Sequence, residues 1–164
     1  MPSGGPGELH RLLERVVTIP DHDRLLDECL DSLLEQLAAE RALVLLKDGS
    51  GATHVINARG HNRTLSPGER EEISRSAINE AVTHARCFLR ERTAGSMTTE
   101  SMANLGISLA VAAPLRGLSS RQGIRGALYI DYRQRTAPLE QAQIDFFEAT
   151  AALVLQMLQR MVAR

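Results

Sequence analysis

Residues 106–132 constrain the fold of this chain more than any other stretch. Two nearly continuous apolar runs, residues 107–115 and 123–132, flank a short connection rich in Gly, Ser and Arg. This pattern is typical of an antiparallel β-hairpin. Because both runs are apolar at almost every position, we expect the two strands to be covered on both faces and to lie in the middle of a sheet.

Length and composition indicate one soluble domain. The chain has 164 residues, of which 43% are hydrophobic and 24% are charged, which is enough apolar material for a substantial core. The net charge of −1 creates no overall field that would attract nucleic acid or an anionic membrane. No run of about 18 consecutive apolar residues is present that would cross a membrane. We therefore expect no direct nucleic-acid partner and no membrane partner.

The N-terminus and the cysteines indicate a cytoplasmic protein. Residues 1–7 lack the basic and apolar regions of a signal peptide, and we interpret them as a flexible lead-in before a single domain at residues 8–164. Cys29 and Cys87 are too few for a disulfide framework. We predict that both thiols are buried and unreactive, with a redox or ligand-attaching role as the alternative.

Helical spacing of apolar residues predicts four main helices. They cover residues 8–19, 22–39 and 66–84, and a last helix that begins at Pro138 and runs to the C-terminus. Ser66 is a good N-cap, with Pro at the first helical position and Glu three residues after the cap. The last helix has two apolar sides, so it should cover both the sheet and a neighbouring helix, in the same chain or in a second copy.

Three further strands complete the predicted sheet. Residues 42–46 form a short buried strand, residues 53–59 form its edge partner after an Asp-Gly turn, and residues 87–89 form the third. A polar loop at residues 90–99 and a short helix at residues 100–105 precede the hairpin. This order predicts an α+β fold, in which an antiparallel sheet carries helices on both faces.

The residues of the hairpin resemble a known family. Residues 105–115 (LGISLAVAAPL) and 126–131 (GALYID) are similar to two strands of GAF domains, which are small sensory modules of signalling proteins. Residues 74–79 resemble the middle helix of that family, and the likeness runs in order from about Leu9 to Leu158. It implies a GAF-like, PAS-related fold with the terminal helices on one face of a central antiparallel sheet and the middle helix on the other.

The resemblance also implies a function. GAF domains typically hold a small molecule under the middle helix and a mobile loop, and many form dimers through their terminal helices. We therefore expect a sensory domain of a larger bacterial signalling protein or transcriptional regulator, with an unknown small molecule, a second copy of the chain and an output domain as its partners. The predicted homodimer interface consists of Leu30, Leu34, Phe146, Leu153 and Met157.

Strand alternation places the candidate ligand site. Ser108, Ala110 and Ala112 share one face of their strand, and their small side chains leave room beside it. Tyr129 and Asp131 on the next strand supply a hydroxyl and a carboxylate. The predicted lining is Phe88, Arg90, Met97, Met102, Asn104, Ser108, Ala110, Ala112, Tyr129 and Asp131. The alternative is plain core, in which the alanines only let the middle helix approach the sheet closely.

The opposite face of the hairpin is expected to be ordinary core under the terminal helices. It is formed by Ile107, Leu109 and Val111. If nothing binds at the small-residue face, the domain is a ligand-free dimerisation or scaffold module, which is the second functional hypothesis.

Other chemistries lack their sequence patterns. The Asn-Lys, Phe and Asp-Glu signature of cyclic-nucleotide-binding GAF domains is missing, and so are the cysteine motifs of bilin-binding relatives. The five histidines show no metal-ligand spacing, and no phosphate loop or catalytic triad order occurs. We therefore expect no metal, no cofactor and no enzymatic activity. The enzymatic alternative is a GAF-fold methionine-sulfoxide reductase with Cys87 as nucleophile, for which Cys29 is the only other cysteine in the sequence.

Overall fold

Three helices and five strands make up the part of the chain that the computed structural model describes, namely residues 22–47, 53–61, 65, 68, 73, 75–84, 87–91, 106–119, 124–135 and 137–162. In chain order they are α1 (His22–Leu37), β1 (Arg41–Lys47), β2 (Thr53–Gly60), α2 (Arg75–His84), β3 (Phe88–Glu91), β4 (Leu109–Ser119), β5 (Ile124–Tyr132) and α3 (Gln141–Val162). The lead-in, the predicted helices at 8–19 and 100–105, the loop at 92–99 and the N-cap at Ser66 lie outside the described residues.

The strands form one antiparallel sheet in the order β2-β1-β5-β4-β3. The predicted hairpin is β4–β5, and β5 is the central strand, as the two apolar runs require. β2 is the edge partner of β1, which was also predicted. The register between these two strands shifts at Val44 and Leu45, which pair with Asn57 and Val55, so that Ile56 is the extra residue of a bulge. Such a bulge makes an edge strand a poorer template for pairing with another chain.

Strand alternation divides the core into two layers. Leu109, Val111 and Ala113 of β4 lie in the layer with α1 and α3, whereas Ala110 and Ala112 lie in the layer with α2. α1 and α3 therefore cover one face of the sheet and α2 covers the other. This arrangement confirms the predicted α+β class and the predicted placement of these three helices.

The position predicted for Ile107 is wrong. We expected it to share a face with Leu109, but it lies in the α2 layer. β4 begins only at Leu109, and Gly106 has a φ of +71°, so the chain turns just before the strand. Alternation with a period of two holds only inside a strand, and it therefore does not extend back to residue 107.

The five side chains predicted to form a dimer interface lie in the core of the single chain. α1 and α3 pack against each other, and these side chains are 0–7% exposed. They are Leu30, Leu34, Phe146, Leu153 and Met157. The second apolar side of the last helix is thus covered by α1 of the same chain. This corrects the interface prediction, because side chains that are buried within one chain present no surface to a second copy.

A polar seam joins α1 to the edge strand β2. Asn57 Nδ2 donates to Asp27 Oδ1 at 2.9 Å. Arg59 donates to both carboxylate oxygens of Asp31, through Nε at 2.9 Å and Nη2 at 3.1 Å. Residues four apart on a helix rise about 6 Å and residues two apart on a strand about 6.6 Å. The two pairs therefore match in spacing and orient α1 along β2.

α1 ends in a residue with left-handed backbone conformation. Ala38 has a φ of +53°, and its side chain is exposed. The carbonyl of Leu37, the last residue of the helix, accepts a hydrogen bond from the hydroxyl of Tyr132 at 2.7 Å. Only glycine adopts the left-handed conformation without steric cost from its Cβ.

We expect Ala38→Gly to raise the free energy of unfolding by up to about 1 kcal/mol, because it removes backbone strain and loses no packing. The matched control is Ala152→Gly, the same change at an exposed position inside α3. It should lower the free energy of unfolding by about 1 kcal/mol. Urea denaturation measures both values, and a loss of stability in both variants would contradict the role of the positive φ.

The buried hydroxyl of Tyr132 should make the domain less stable at alkaline pH. Its side chain is 3% exposed, and burial raises the pKa of its hydroxyl to about 12, against a smaller lowering by Arg135. The unfolded phenol titrates near pH ~10. Between these values the native state retains a proton that the unfolded state has lost, so stability falls as pH rises through about 10 to 12. The slope contributed is up to about 1.4 kcal/mol per pH unit.

Urea denaturation between roughly pH 9 and 11.5, in the native chain and in Tyr132→Phe, measures this effect. The variant should be less stable by about 1 kcal/mol at neutral pH, because it loses the hydrogen bond to Leu37. It should then show a shallower decline with pH. Parallel declines in the two proteins would show that Tyr132 does not cause the alkaline sensitivity.

Candidate functional site

Two rows of register partners cross the sheet beneath α2. On β1, β5, β4 and β3, the first row is Arg41, Asp131, Ala110 and Arg90, and the second is Leu43, Tyr129, Ala112 and Phe88. The structure therefore brings four of the predicted site residues together on one face: Ala110, Ala112, Tyr129 and Asp131. Phe88 and Arg90 occupy matching register positions on the edge strand.

A buried charged cluster forms the polar part of this face. Arg41 Nε donates to Asp131 Oδ1 at 3.0 Å, and Arg41 Nη2 donates to Asp131 Oδ2. The hydroxyl of Tyr129 donates to the same Oδ2 at 2.7 Å. All three side chains are fully buried. Since an isolated charge in a protein interior is costly, the two-point pairing of guanidinium and carboxylate is what allows both ions to remain buried here.

Arg41 was not among the predicted site residues. The predicted strand began at Ala42, one residue later than the observed one, and Arg41 is 90 positions away from its partner Asp131. One signal was present: a carboxylate in a strand that is covered on both faces requires a cation or donors nearby. An arginine directly before a buried strand is a natural source, but only the register between β1 and β5 shows that the two meet.

Small side chains line both sides of the contact between α2 and the sheet. Ala77 and Ala81 of α2 belong to the same buried cluster as Ala110 and Ala112 of β4. Alanines that face alanines let a helix approach a sheet closely. At this point the structure therefore favours the packing interpretation of the two strand alanines, and it places the polar groups of the face at the Asp131 end.

Ser108 does not take the position predicted for it. Its hydroxyl and its backbone N–H both donate to the carbonyl oxygen of Tyr132, at 3.1 Å and 2.8 Å. It precedes the first residue of β4, so its side chain is used to fasten the start of that strand to the end of β5. The remaining predicted lining residues, Met97, Met102 and Asn104, lie outside the described residues.

A groove of about 500 Å³ lies on the opposite face of the sheet, between α3 and β4. It is lined by Cys87, Ala113, Pro114, Glu148, Ala151, Ala152 and Leu155. Cys87 is only half-buried, which corrects the prediction that both thiols are buried. Cys29 is fully buried in the α1 layer, and burial, with a smaller contribution from Glu28, raises the pKa of its thiol to about 12. The prediction that Cys29 is buried is therefore confirmed, and the raised pKa keeps its thiol protonated at neutral pH.

In the described ranges, no three His, Cys, Asp or Glu side chains are grouped so that they would hold a metal ion. Among the helices described, none combines the length and the apolar character needed to cross a membrane.

Comparison with known proteins identifies relatives of this fold. The family model of the GAF domain matches residues 21–158. The GAF domain from an Acinetobacter phosphoenolpyruvate-protein phosphotransferase is 12% identical over 96% of this chain and 94% of its own, with a TM-score of 0.71. No match was found among curated proteins.

Two further solved structures share the fold. A methyl-accepting chemotaxis protein is 18% identical over 96% of this chain and 99% of that structure, with a TM-score of 0.63. The phycoerythrobilin-bound GAF domain from a cyanobacterial phytochrome is 14% identical over 96% of this chain and 93% of its own, with a TM-score of 0.64. At these identities the likeness concerns the fold and not the ligand.

Proposed function

Because the chain belongs to the GAF domain family, we propose that it is the sensory domain of a larger bacterial signalling protein or transcriptional regulator. In this proposal it binds a small molecule at the α2 face of the sheet and passes the signal to its terminal helices. The domain has no enzymatic activity of its own. The similar folds of a chemotaxis protein and of a chromophore-bound phytochrome domain support a sensory role.

The observation that carries the proposal is the buried cluster of Arg41, Asp131 and Tyr129. Fully buried ions are rare unless they are paired, and a hydrophobic replacement of similar volume is often at least as stable. The cluster is surrounded by apolar side chains of β1, β4 and α2. Apolar walls with a few fixed polar groups are typical of small-molecule sites. Because the Tyr129 O–H already donates to Asp131, the hydroxyl oxygen and the carboxylate would provide acceptors that select a ligand with donor groups.

A screen by thermal shift tests ligand binding, with nucleotides, amino acids and organic acids as the compounds. A ligand at about 100 times its Kd stabilises the native state by about 2.7 kcal/mol, which corresponds to roughly 5–10 °C in Tm for a chain of this size. The shift should decrease in Tyr129→Phe and persist in Arg59→Gln, a change on the edge strand. Equal shifts in both variants would place the site elsewhere.

The ligand-free scaffold is the second candidate. The alanines with which α2 and β4 pack in one buried cluster favour it. Close packing at that contact leaves no need for a ligand to complete the core. If no compound in the screen raises the Tm, the scaffold becomes the better proposal. Sulfoxide-reductase turnover that disappears in Cys87→Ser would instead overturn the non-enzymatic assignment.

Dimerisation is a separate part of the proposal. Among the described helices, the exposed sides of α1 and α3 are surfaces that a second copy could cover, since their inner sides are used within the chain. Sedimentation equilibrium should give twice the chain mass of 18.0 kDa at micromolar concentration. A mass of one chain at all concentrations tested would remove the dimer from the proposal.

A further inference from the structure

The side chains of two consecutive residues at the end of β5 lie on opposite faces of the sheet. The side chain of Asp131 lies on the α2 face, in the cluster with Arg41 and Tyr129. The side chain of Tyr132 lies in the core layer of α1 and α3. β5 is the central strand and is hydrogen-bonded to β1 and β4 on its two sides. A small displacement of one residue is therefore transmitted to the next and is not absorbed by a flexible edge.

Tyr132 contacts the end of α1 directly and is linked to the start of α3 through Arg135. Its hydroxyl donates to the carbonyl of Leu37 at the end of α1, at 2.7 Å. Its ring lies 5.2 Å below the guanidinium of Arg135. That guanidinium donates to the carbonyls of Ala137 and Pro138 and, at 3.2 Å, to Gln143 Oε1 in the first turn of α3. One side chain thus lies between the last carbonyl of α1 and the side chain that holds the start of α3.

Asp131 is tied to the same end of α1 through its backbone. Its carbonyl oxygen accepts a hydrogen bond from the N–H of Glu40 at 3.0 Å, and its carboxylate binds Arg41, the next residue. The connection from α1 to β1 is therefore fastened at Leu37 by Tyr132 and at residues 40 and 41 by Asp131. Between these points lies Ala38, whose backbone is in the left-handed conformation.

We propose that Asp131 and Tyr132 act as a coupling element that links the charged cluster of the α2 face to the adjoining ends of α1 and α3. A change in the pairing of Asp131 alters the position of β5 and Glu40, and with it the hydrogen bond that Tyr132 makes to Leu37. The signalling meaning of this coupling rests on the proposed function. The coupling itself is a property of the unliganded chain, so it is measured without any ligand.

A double-mutant cycle measures the coupling. Asp131→Asn keeps the shape of the side chain and removes its charge, and Tyr132→Phe removes only the hydroxyl. We expect the unfolding equilibrium constant of the double variant to differ at least threefold from the product of the two single effects. The control cycle combines Tyr132→Phe with Asp31→Asn, which alters the exposed pair of Asp31 and Arg59. In this control, the effect of the double variant on the unfolding equilibrium constant should match the product of the two single effects within about twofold, as expected for independent sites.

Amide hydrogen exchange separates coupling from general loss of stability. In Asp131→Asn, exchange should accelerate most at the end of α1 and at the start of α3, and less in their opposite halves. Tyr132→Phe should already show fast exchange at these ends, so that adding Asp131→Asn changes them little. If Asp131→Asn fails to fold, Tyr129→Phe replaces it, because it removes one hydrogen bond to the same carboxylate.

Two results would overturn the proposal. One is a double variant of Asp131 and Tyr132 whose unfolding equilibrium constant equals the product of the single effects as closely as in the control cycle. The other is uniform acceleration of exchange along both helices, which a merely structural role of Asp131 would produce. Neither result bears on whether a ligand binds, since the thermal-shift screen decides that separately. A failed screen likewise leaves the measured coupling unchanged.

Discussion

Asp131→Ala is expected to lower the free energy of unfolding by about 3–5 kcal/mol, the cost of removing one partner of a buried ion pair. In the variant, Arg41 loses two hydrogen bonds to a carboxylate and Tyr129 loses one, and none of the three side chains reaches solvent in the native chain. For a domain whose total stability is on the order of 5–15 kcal/mol, this is a large fraction.

Asp31→Ala is the matched control. Asp31 also pairs with one arginine through two hydrogen bonds, but both side chains are 44% exposed. Its loss should cost less than about 1 kcal/mol, because water replaces the lost partner. Urea denaturation compares the two variants directly. Similar losses for Asp31→Ala and Asp131→Ala would mean that water reaches the cluster on the α2 face.

A hydrophobic replacement of the Arg41–Asp131 ion pair adds a second comparison. The double variant Arg41→Met with Asp131→Leu removes both charges of this pair. It should recover most of the stability lost in Asp131→Ala, since apolar side chains of similar volume often replace a buried ion pair at little cost. A double variant as unstable as the single one would show that the packing of these two side chains, and not their charge, is what matters.

Met157→Glu is expected to unfold the domain or to cost at least about 3 kcal/mol. Met157 is 2% exposed and lies in the core shared by α1, α3 and the sheet. The substitution removes apolar contacts and places a carboxylate among apolar side chains. The neighbouring change Gln156→Glu introduces the same side chain at an exposed position of the same helix. It should alter stability by no more than about 0.5 kcal/mol.

Circular dichroism and size-exclusion chromatography give the two readouts for Met157→Glu. Loss of helical signal or a cooperative transition shifted to lower urea is the expected result. A fully folded monomer with unchanged stability would contradict it and would restore Met157 to a dimer interface. The same comparison applies to Leu153, which is 7% exposed in the same core.

Much of the fold follows from local patterns in the sequence. The two apolar runs of residues 107–115 and 123–132 predicted the centre of the sheet, and the polar alternation of residues 53–59 predicted an edge. Both predictions depend on the period of side chains along a strand, which is a local property. For the same reason, alternation correctly placed Ala110 and Ala112 on one face and Tyr129 and Asp131 on one face.

Other features depend on which distant segments meet. The two-sided helix at the C-terminus required a second surface to cover, but its pattern is the same whether that surface is α1 or another chain. The chain turn at Gly106 similarly moved Ile107 to the other layer, although its apolar character fits either face. The apolar character of a side chain predicts that it will be buried, whereas the tertiary structure determines which residues cover it.

The central hairpin follows from local sequence patterns, whereas the charged cluster beside it depends on the tertiary structure. The sequence by itself predicted two buried inner strands within residues 107–132, which the structure has as Leu109–Ser119 and Ile124–Tyr132. It also predicted a carboxylate at Asp131 beside the small-residue face. Only the tertiary structure decided that Arg41 neutralises it, since the antiparallel register of β1 and β5 brings together two residues 90 positions apart. Side-chain periodicity is set within a strand, whereas register is set by the packing of the whole sheet.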